Sequence, residues 1–185
     1  MTERVVGADL SLAGSALVYL ESSSAGGSPA FIRQARLKTP KGAQGPLRMN
    51  ALREQFLTAL DDFMPDLVVV EGFALGIGRG NAGHHDIAGW GWIARWTAWS
   101  AGYPLLEVPP ATLKKFATGK GNSPKEIVIR EVHRRWNYEA SDNNDADAYA
   151  LAELGRLLQL GRRGVSVAKS VLELEGKCVR WEPKK

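Results

Sequence analysis

One short apolar stretch limits the possible folds more than any other feature of this sequence. The run at 67–70, Leu-Val-Val-Val, lies between Pro65 and Gly72 and is followed at once by Glu71. A continuous run of this kind predicts a strand that is buried on both faces. An unpaired carboxylate is costly to bury, and the ligands of open α/β sheets bind outside the carboxyl ends of the strands. Glu71 therefore indicates a functional edge, and the question is which other acids reach it.

The remaining patterns predict an α/β chain. Residues 4–20 are typical of two strands joined by a Ser/Gly turn, and residues 30–37 of a third. The later predicted elements are a helix ending near Pro65, the strand that ends at Glu71, a Trp-rich helix at 86–102, a strand at 104–108, a short helix at 110–119, a helix at 124–136 with Ser123 as its cap and Pro124 first, and a helix at about 145–160. A three-stranded meander followed by helix-linked strands predicts a mixed sheet with helices on both faces.

Composition favours one domain and excludes few functions. The chain has 185 residues, 44% of them hydrophobic, which suffices for one sizeable core. A net charge of +4 means that attraction to nucleic acid must come from clustered charge. The single cysteine, Cys178, excludes an internal disulfide and fits a reducing compartment. With no signal-like N-terminus and no apolar segment of about 20 residues, we expect a soluble cytoplasmic protein without a membrane partner.

Acids occur at three places that the predicted fold could bring together. Asp9 ends the first apolar run, Glu71 ends the central strand, and Asp142, Asp145 and Asp147 open the last helix. Acids in a first helical turn are also favoured by the helix dipole, so no single member is decisive. Clustered carboxylates repel one another unless cations lie between them, and hard oxygen ligands suit Mg²⁺ or Mn²⁺. Two such ions activate a water and stabilise the leaving oxygen of a phosphodiester, so the pattern predicts metal-dependent phosphodiester hydrolysis.

Four segments resemble a known family. They are "VVGADLSLAG", "VVVEGF", "LKKFATGKGNSPKEIVI" and "NNDADAYALA", and together they resemble RuvC-type Holliday junction resolvases of the ribonuclease-H-like superfamily, especially the phage branch. The resemblance covers roughly residues 4 to 158. It implies a ribonuclease-H-like fold with a mixed five-stranded sheet flanked by helices, a homodimer, and nicking of branched DNA with two Mg²⁺ per active site, Mn²⁺ being a substitute. We therefore expect a nuclease domain at 1–160 and a basic C-terminal extension at 161–185, predicted only as a hairpin or helix. In a phage setting, the compartment would be the host cytoplasm.

The resemblance also assigns roles to single residues. Asp9 matches the first-strand acid, Glu71 the central-strand acid, and Asp147 the acid that begins the apolar run of the last helix. The family usually has an acid or histidine three residues before that last Asp, and this chain has Asn144 there. We favour Asp145 as the replacement ligand, and leave open Asp142, Asn144 itself or a water. The catalytic and metal-binding set predicted from the sequence is thus Asp9, Glu71, Asp145 and Asp147.

Basic residues near the acids predict a DNA-binding surface. Lys114, Lys115, Lys120 and Lys125 lie in one glycine-containing stretch, and in the family the positions of Lys114 and Lys125 lie beside the active site. Lysines that contact phosphate give affinity without sequence information. A solvated basic loop is the alternative for this stretch taken alone.

The segment after Glu71 carries further candidates. Residues 74–84 are glycine-rich, which predicts a loop with Arg79 near the scissile phosphate and His84 and His85 at its end. His85 is a candidate proton shuttle, with an exposed loop histidine as the alternative. Phe73 is suited either to stack on an unpaired base or to join the core.

Tryptophans at 90, 92, 96 and 99 do not share one helical face. Part of that helix is therefore expected to pack on the sheet and part to meet a partner subunit, unless the whole helix is internal. Two-fold symmetry suits a four-armed substrate, because two equivalent sites can cut opposing strands.

Three functions compete. The leading prediction is an endonuclease acting on four-way junctions, and by extension on flaps and forks. The alternatives are a branched-DNA-binding scaffold with degenerate catalysis, suggested by Asn144, and a ribonuclease acting on RNA–DNA hybrids. The sugar-kinase and actin-like relatives are disfavoured, because they need two such domains and phosphate-binding loops for ATP, and 185 residues are too few.

Overall fold

A mixed six-stranded sheet forms the centre of the molecule. The computed structural model describes residues 2–23, 27–73 and 83–183. The elements in chain order are β1 Thr2–Asp9, β2 Ser15–Ser23, β3 Phe31–Leu37, α1 Gly45–Phe63, β4 Leu67–Glu71, α2 Gly83–Ser100, β5 Leu105–Val108, α3 Pro110–Thr118, α4 Lys125–Trp136, α5 Asn143–Arg162, α6 Lys169–Glu175 and β6 Val179–Trp181.

The strand order across the sheet is β3-β2-β1-β4-β5-β6. The meander β1–β2–β3 is antiparallel, β1, β4 and β5 run parallel, and β6 is antiparallel to β5. The predicted five strands and the antiparallel first three are confirmed. The sixth strand was not predicted, because three residues at the edge give too short an alternation to recognise.

The sheet is covered on both faces because its central strands alternate between two cores. On one face, Val5 and Val69 pack with α5, α3 and α4, and on the other, Val6 and Val68 pack with α1 and α2. The apolar run of β4 is continuous because both of its faces are buried. In α1, the residues Leu52, Phe56, Ala59, Leu60 and Phe63 bury one face at helical spacing.

Two local predictions were wrong. The helix α4 begins at Lys125, one residue later than expected, and Ser123 does not cap it. Its hydroxyl instead lies 2.7 Å from that of Thr118 and donates to the Lys120 carbonyl at 3.1 Å, closing the α3–α4 turn. The helix α2 begins at Gly83, which puts His85 in a first helical turn and not in a loop.

None of the helices in the described part of the chain is both long and apolar enough to cross a bilayer.

Candidate active site

Two of the predicted acids lie side by side because they end neighbouring parallel strands. Asp9 is the last residue of β1 and Glu71 the last of β4. The register pairs Ala8 with Val70, so the next residue of each strand emerges at the same edge. Both side chains are half-buried. The sheet alone thus supplies two carboxylates at its carboxyl edge, as the sequence predicted.

The helix α5 brings the third acid by lying directly on the strands. A Cβ added to Gly7 of β1 would lie 2.0 Å from the Ala148 carbonyl oxygen and 2.4 Å from the Ala152 nitrogen. A Cβ on Gly155 of α5 would lie 2.4 Å from Val69 of β4. Glycine is required at both contacts because no side chain fits. This close approach brings the helix N-terminus, with Asp147 in it, to the ends of the two strands.

The surroundings of the three carboxylates favour their protonated forms. Burial, followed by the charge of Asp147, raises the pKa of Asp9 to about 7. Burial, followed by the charges of Asp9 and Asp147, raises the pKa of Glu71 to about 8. Burial also raises the pKa of Asp147. Within the described residues, no hydrogen bond or ion pair reaches any of the three carboxylates. The site is therefore a cluster of acids without a bound donor or ion-pair partner among the described residues.

The charges of two lysines act on this cluster. The charges of Lys125 and Lys114 offset part of the increase in the pKa values of Glu71 and Asp147. The charge of Lys125 does the same for the pKa of Asp9. Lys114 is half-buried in α3 and Lys125 is exposed at the start of α4. Two of the four predicted lysines thus lie close enough to the acids for their charges to act on them. Lys115 and Lys120 are exposed.

The remaining acids of the last helix have other partners. Asp142 is the N-cap of α5, accepts from the Asp145 amide at 2.9 Å, and pairs with Arg36 of β3 at 2.8 Å. Asp142 thus caps the helix and is ion-paired to Arg36. Asp145 is buried, with its carboxylate bonded to the Tyr138 hydroxyl at 2.8 Å and to the Ser141 amide at 2.8 Å and hydroxyl at 3.1 Å.

Asp145 and Asp147 face different ways, because residues two apart in a helix are about 200° apart around its axis. The structure therefore does not bring Asp145, which the sequence favoured as a ligand, into the unpartnered cluster. Asn144 lies one turn before Asp147 on the same face, and its amide nitrogen donates to the Gly14 carbonyl at 3.0 Å.

The cluster is not a closed cation cage. Across residues 2–23, 27–73 and 83–183, no three His, Cys, Asp or Glu side chains are placed so that they could hold a metal ion as they stand. The three acids share one edge and one electrostatic field without converging on a single point.

Comparisons with known proteins agree on the fold. The "Crossover junction endodeoxyribonuclease RuvC" of Anaeromyxobacter sp. (strain Fw109-5) is 32% identical over 79 residues, which are 43% of this chain and 38% of that protein. The RuvC structure of Thermus thermophilus matches with a TM-score of 0.66 and 23% identity over 89% of this chain and 98% of that one. The chain has the RuvC fold.

Two further solved structures extend this result. The T. thermophilus RuvC in complex with a Holliday junction substrate matches with a TM-score of 0.67 and 23% identity, over 86% of this chain and 96% of that one. The yeast mitochondrial Holliday junction resolvase Ydc2 matches with a TM-score of 0.51 and 16% identity, over 81% and 76%. No family model matches the chain. The resemblance to RuvC seen in the sequence is thus confirmed, whereas the phage branch stays a prediction.

The segment that follows Glu71 in this RuvC fold is partly described. Arg79 and the side chain of His84 lie outside the described residues, and His85 is exposed. Phe73 is half-buried, with its ring centroid 5.6 Å from that of Trp92. It therefore packs against α2 beside the acids and not in the main core.

Two residues at this edge escaped the sequence analysis. Arg95 of α2 and Glu107 of β5 form an ion pair at 2.7 Å, with 4% and 20% of their side chains exposed. A cation inside an otherwise apolar, Trp-rich helix was the available signal, since arginine is rarely buried without a partner. Only the structure shows which acid it meets.

Proposed function

We propose that this chain is a structure-selective endodeoxyribonuclease that resolves Holliday junctions, and acts on flaps and forks, by two-metal-ion phosphodiester hydrolysis. One observation carries the proposal: Asp9, Glu71 and Asp147 gather at one edge of a RuvC fold with no hydrogen-bond donor or cation of the described chain bound to them. Clustered, partly desolvated carboxylates destabilise a fold. Their presence is accounted for if cations bind between them.

The chemistry of the donors fits hard divalent cations. All three side chains offer only carboxylate oxygen, the ligand type that Mg²⁺ prefers, and Mn²⁺ accepts the same set. We propose that Asp9, Glu71 and Asp147 hold two Mg²⁺ ions. Asn144, which shares the face of Asp147, or a water completes the set. Asp145 would have to give up three hydrogen bonds to serve as a ligand.

The chain's own residues would bind and orient the DNA. When bound, the metal ions supply an activated water and stabilise the charge on the leaving oxygen. Lys114 and Lys125, whose charges already act on the acids, would neutralise the scissile phosphate. Lys115 and Lys120 would contact neighbouring phosphates. Phe73 and Arg79 complete the proposed DNA contacts.

We also propose that the active form is a homodimer. Trp90 is fully buried, but Trp92 and Trp96 are 59% and 60% exposed on the outer side of α2. Exposed aromatic residues on neighbouring turns mark an interaction surface. Sedimentation of the wild type and of Trp96→Glu tests this: we expect a dimer and a monomer, and a monomeric wild type would refute it.

A non-catalytic branched-DNA scaffold is the second candidate. Two observations favour it: Asn144 stands where the family has an acid or histidine, and the described acids do not converge on one point. Against it, DNA binding alone does not account for three mutually repelling carboxylates next to the proposed phosphate site.

The deciding experiment is parallel cleavage of four substrates. End-labelled four-way junction, flap, linear duplex and RNA–DNA hybrid are incubated with wild type or Asp147→Asn in Mg²⁺, Mn²⁺ or EDTA. We expect paired symmetric nicks in the junction that disappear in EDTA and in the variant. Cleavage of the hybrid would reassign the chain as a ribonuclease. Binding of the junction without any cleavage would favour the scaffold.

A further inference from the structure

Arg95 contacts the end of β4 at several points. Its Nη2 donates to the carbonyl oxygen of Glu71 at 2.7 Å, and its Nη1 donates to the Gly91 carbonyl at 2.9 Å. Its Nε donates to the Glu107 carboxylate at 2.7 Å. The guanidinium carbon lies 4.5 Å from the ring centroid of Phe73. One buried side chain therefore joins α2, β4 and β5 at the residue that carries a proposed metal ligand.

The surrounding backbone leaves little freedom for this arrangement. A Cβ on Gly91 would lie 2.7 Å from the Phe73 ring, and a Cβ on Gly72 would lie 3.2 Å from the Glu107 carboxylate. Both glycines thus make room for the Arg95 contacts. The planar fork of arginine donates in several fixed directions, which the single ammonium of lysine cannot reproduce.

We propose that Arg95, anchored by Glu107, is a positioning residue that fixes the end of β4 and thereby holds Glu71 and Phe73 in place. Arg95 touches neither the Glu71 carboxylate nor a reacting atom, so its effect passes through the Glu71 main chain. The consequence for metal binding and cleavage rests on the proposed function, whereas the consequence for the backbone does not.

The matched control is a second buried ion pair. Arg156 and Glu153 of α5 are 4% and 3% exposed, their charged atoms lie 2.7 Å apart, and Arg156 also donates to a main-chain carbonyl, that of Gly27. Arg156→Lys therefore removes a comparable fork from a pair that contacts none of the acids. Truncation of either arginine to alanine is avoided because it would leave the half-buried Glu107 or the buried Glu153 unpaired.

The test compares Arg95→Lys, Glu107→Gln, Arg156→Lys and wild type in the full chain. Hydrogen exchange is measured at the Gly72 amide, which donates to the Val108 carbonyl just beyond Glu71, and at the Val68 amide near the start of β4. We expect Arg95→Lys and Glu107→Gln to speed exchange about tenfold or more at Gly72 but not at Val68. Arg156→Lys should leave both amides at the wild-type rate.

Mn²⁺ affinity by electron paramagnetic resonance and junction-cleavage kinetics form the second measurement. Loss of a residue that orients a ligand typically costs about 10- to 100-fold in metal affinity or activity. We expect this loss in Mn²⁺ affinity and in kcat, with KM for the junction unchanged, for Arg95→Lys and not for Arg156→Lys.

Two results would overturn the positioning role. One is Gly72 exchange in Arg95→Lys within twofold of wild type, and the other is an equal change in Arg156→Lys, which would mean general loosening. If wild type neither binds Mn²⁺ nor cuts a junction, the proposed function fails, and the exchange rates alone decide the role of Arg95.

Discussion

Strands β1 and β4 carry acids near both of their ends, and the surroundings of these acids differ. At the amino end, Asp66 accepts from the Arg4 amide at 3.0 Å and pairs with the Arg4 guanidinium at 2.9 Å. Glu3 lies 2.5 Å from Arg163, but its burial still raises its pKa, so Asp66 is the acid that represents this end. At the carboxyl end, the side-chain carboxylates of Asp9 and Glu71 have no hydrogen-bond or ion-pair partner among the described residues. The same two strands thus have an ion-paired acid at one end and, at the other, acids whose carboxylates are unpaired and repel one another.

This difference indicates that the amino-end acid serves the fold, whereas the carboxyl-end acids serve the proposed chemistry. Paired acids stabilise the fold modestly, whereas unpaired, partly buried acids destabilise it in their charged form. A protein that needed these acids only for folding would pair both sets. The contrast therefore predicts that neutralising an acid has opposite effects on stability at the two ends of the sheet.

The largest expected effect is on cleavage. Asp9→Asn or Glu71→Gln should reduce junction cleavage by about 10³-fold or more, because a lost metal ligand removes several kcal/mol of transition-state stabilisation. Gel-shift assays in EDTA or Ca²⁺ should show that junction binding survives. Asp66→Asn is the matched control on the same pair of strands and should still cleave. Loss of binding together with cleavage would make the carboxyl-end acids structural.

The next effect concerns the contact that brings the third acid to this end. Gly7→Ala forces a methyl group into the α5 backbone and should lower the free energy of unfolding by about 3 kcal/mol. Gly89→Ala is the control, since a Cβ there meets nothing within 4 Å and alanine favours a helix. Urea denaturation measures both. Equal stability of Gly7→Ala and wild type would show that α5 does not lie directly on β1.

A smaller effect appears in the pH dependence of stability. The pKa of Asp9 in the folded chain, about 7, lies above its ordinary value of 3.8, so the folded state holds the proton more tightly. The contribution of protonated Asp9 to the free energy of unfolding is fully present below about pH 4, and it is lost as the pH rises through 7. Without metal, Asp9→Asn should therefore raise the free energy of unfolding at pH 8 by about 2 kcal/mol. This is roughly half of the free energy that corresponds to the whole pKa shift, because solvent screens a half-exposed group.

The measurement is urea denaturation in EDTA at pH 4 and pH 8. Asp9→Asn should match wild type at pH 4 and exceed it at pH 8. A variant less stable than wild type at pH 8 would mean that the Asp9 carboxylate has a stabilising partner, and the contrast between the two ends would disappear.

The smallest effect is expected at the amino end. Asp66→Asn weakens a partly exposed ion pair with Arg4 and should cost about 1 kcal/mol at pH 8. Thermal melts in EDTA compare it with Asp9→Asn, and the two variants should shift the melting temperature in opposite directions. Shifts of the same sign would refute the difference proposed for the two ends.

Much of the fold followed from local patterns. The continuous run before Glu71 indicated a covered central strand, and helical spacing located α1 and α5, because these signals extend over many residues. The edge strand β6 was missed because three residues leave too little periodicity. The start of α2 at Gly83 was missed because it lies in the glycine-rich stretch that predicted a loop. The capping role of Ser123 was also wrong, because its hydroxyl finds a partner in Thr118, a choice that depends on the α3–α4 turn.

The candidate site was predictable in part. Acids at the ends of strands could be placed from topology alone, which explains why Asp9 and Glu71 come together as expected. The orientation of the Asp145 side chain, away from the other acids, depends on Tyr138 and Ser141, which donate hydrogen bonds to its carboxylate. Sequence spacing near a helix N-terminus does not reveal such partners. Arg95 was missed for the same reason, since its partner Glu107 lies on another element.

The glycine contacts beneath α5 have a consequence for protein engineering. Gly7 and Gly155 locate the helix through the main chain, so Asp147 reaches the strand ends although its side chain has no hydrogen bond to any described residue. The end of β4 is likewise held by bonds to its main chain. The side chains at positions 9, 71 and 147 can therefore be replaced without changing the backbone that positions them. Histidine or cysteine placed at these positions offers a way to recruit softer metals without redesigning the fold.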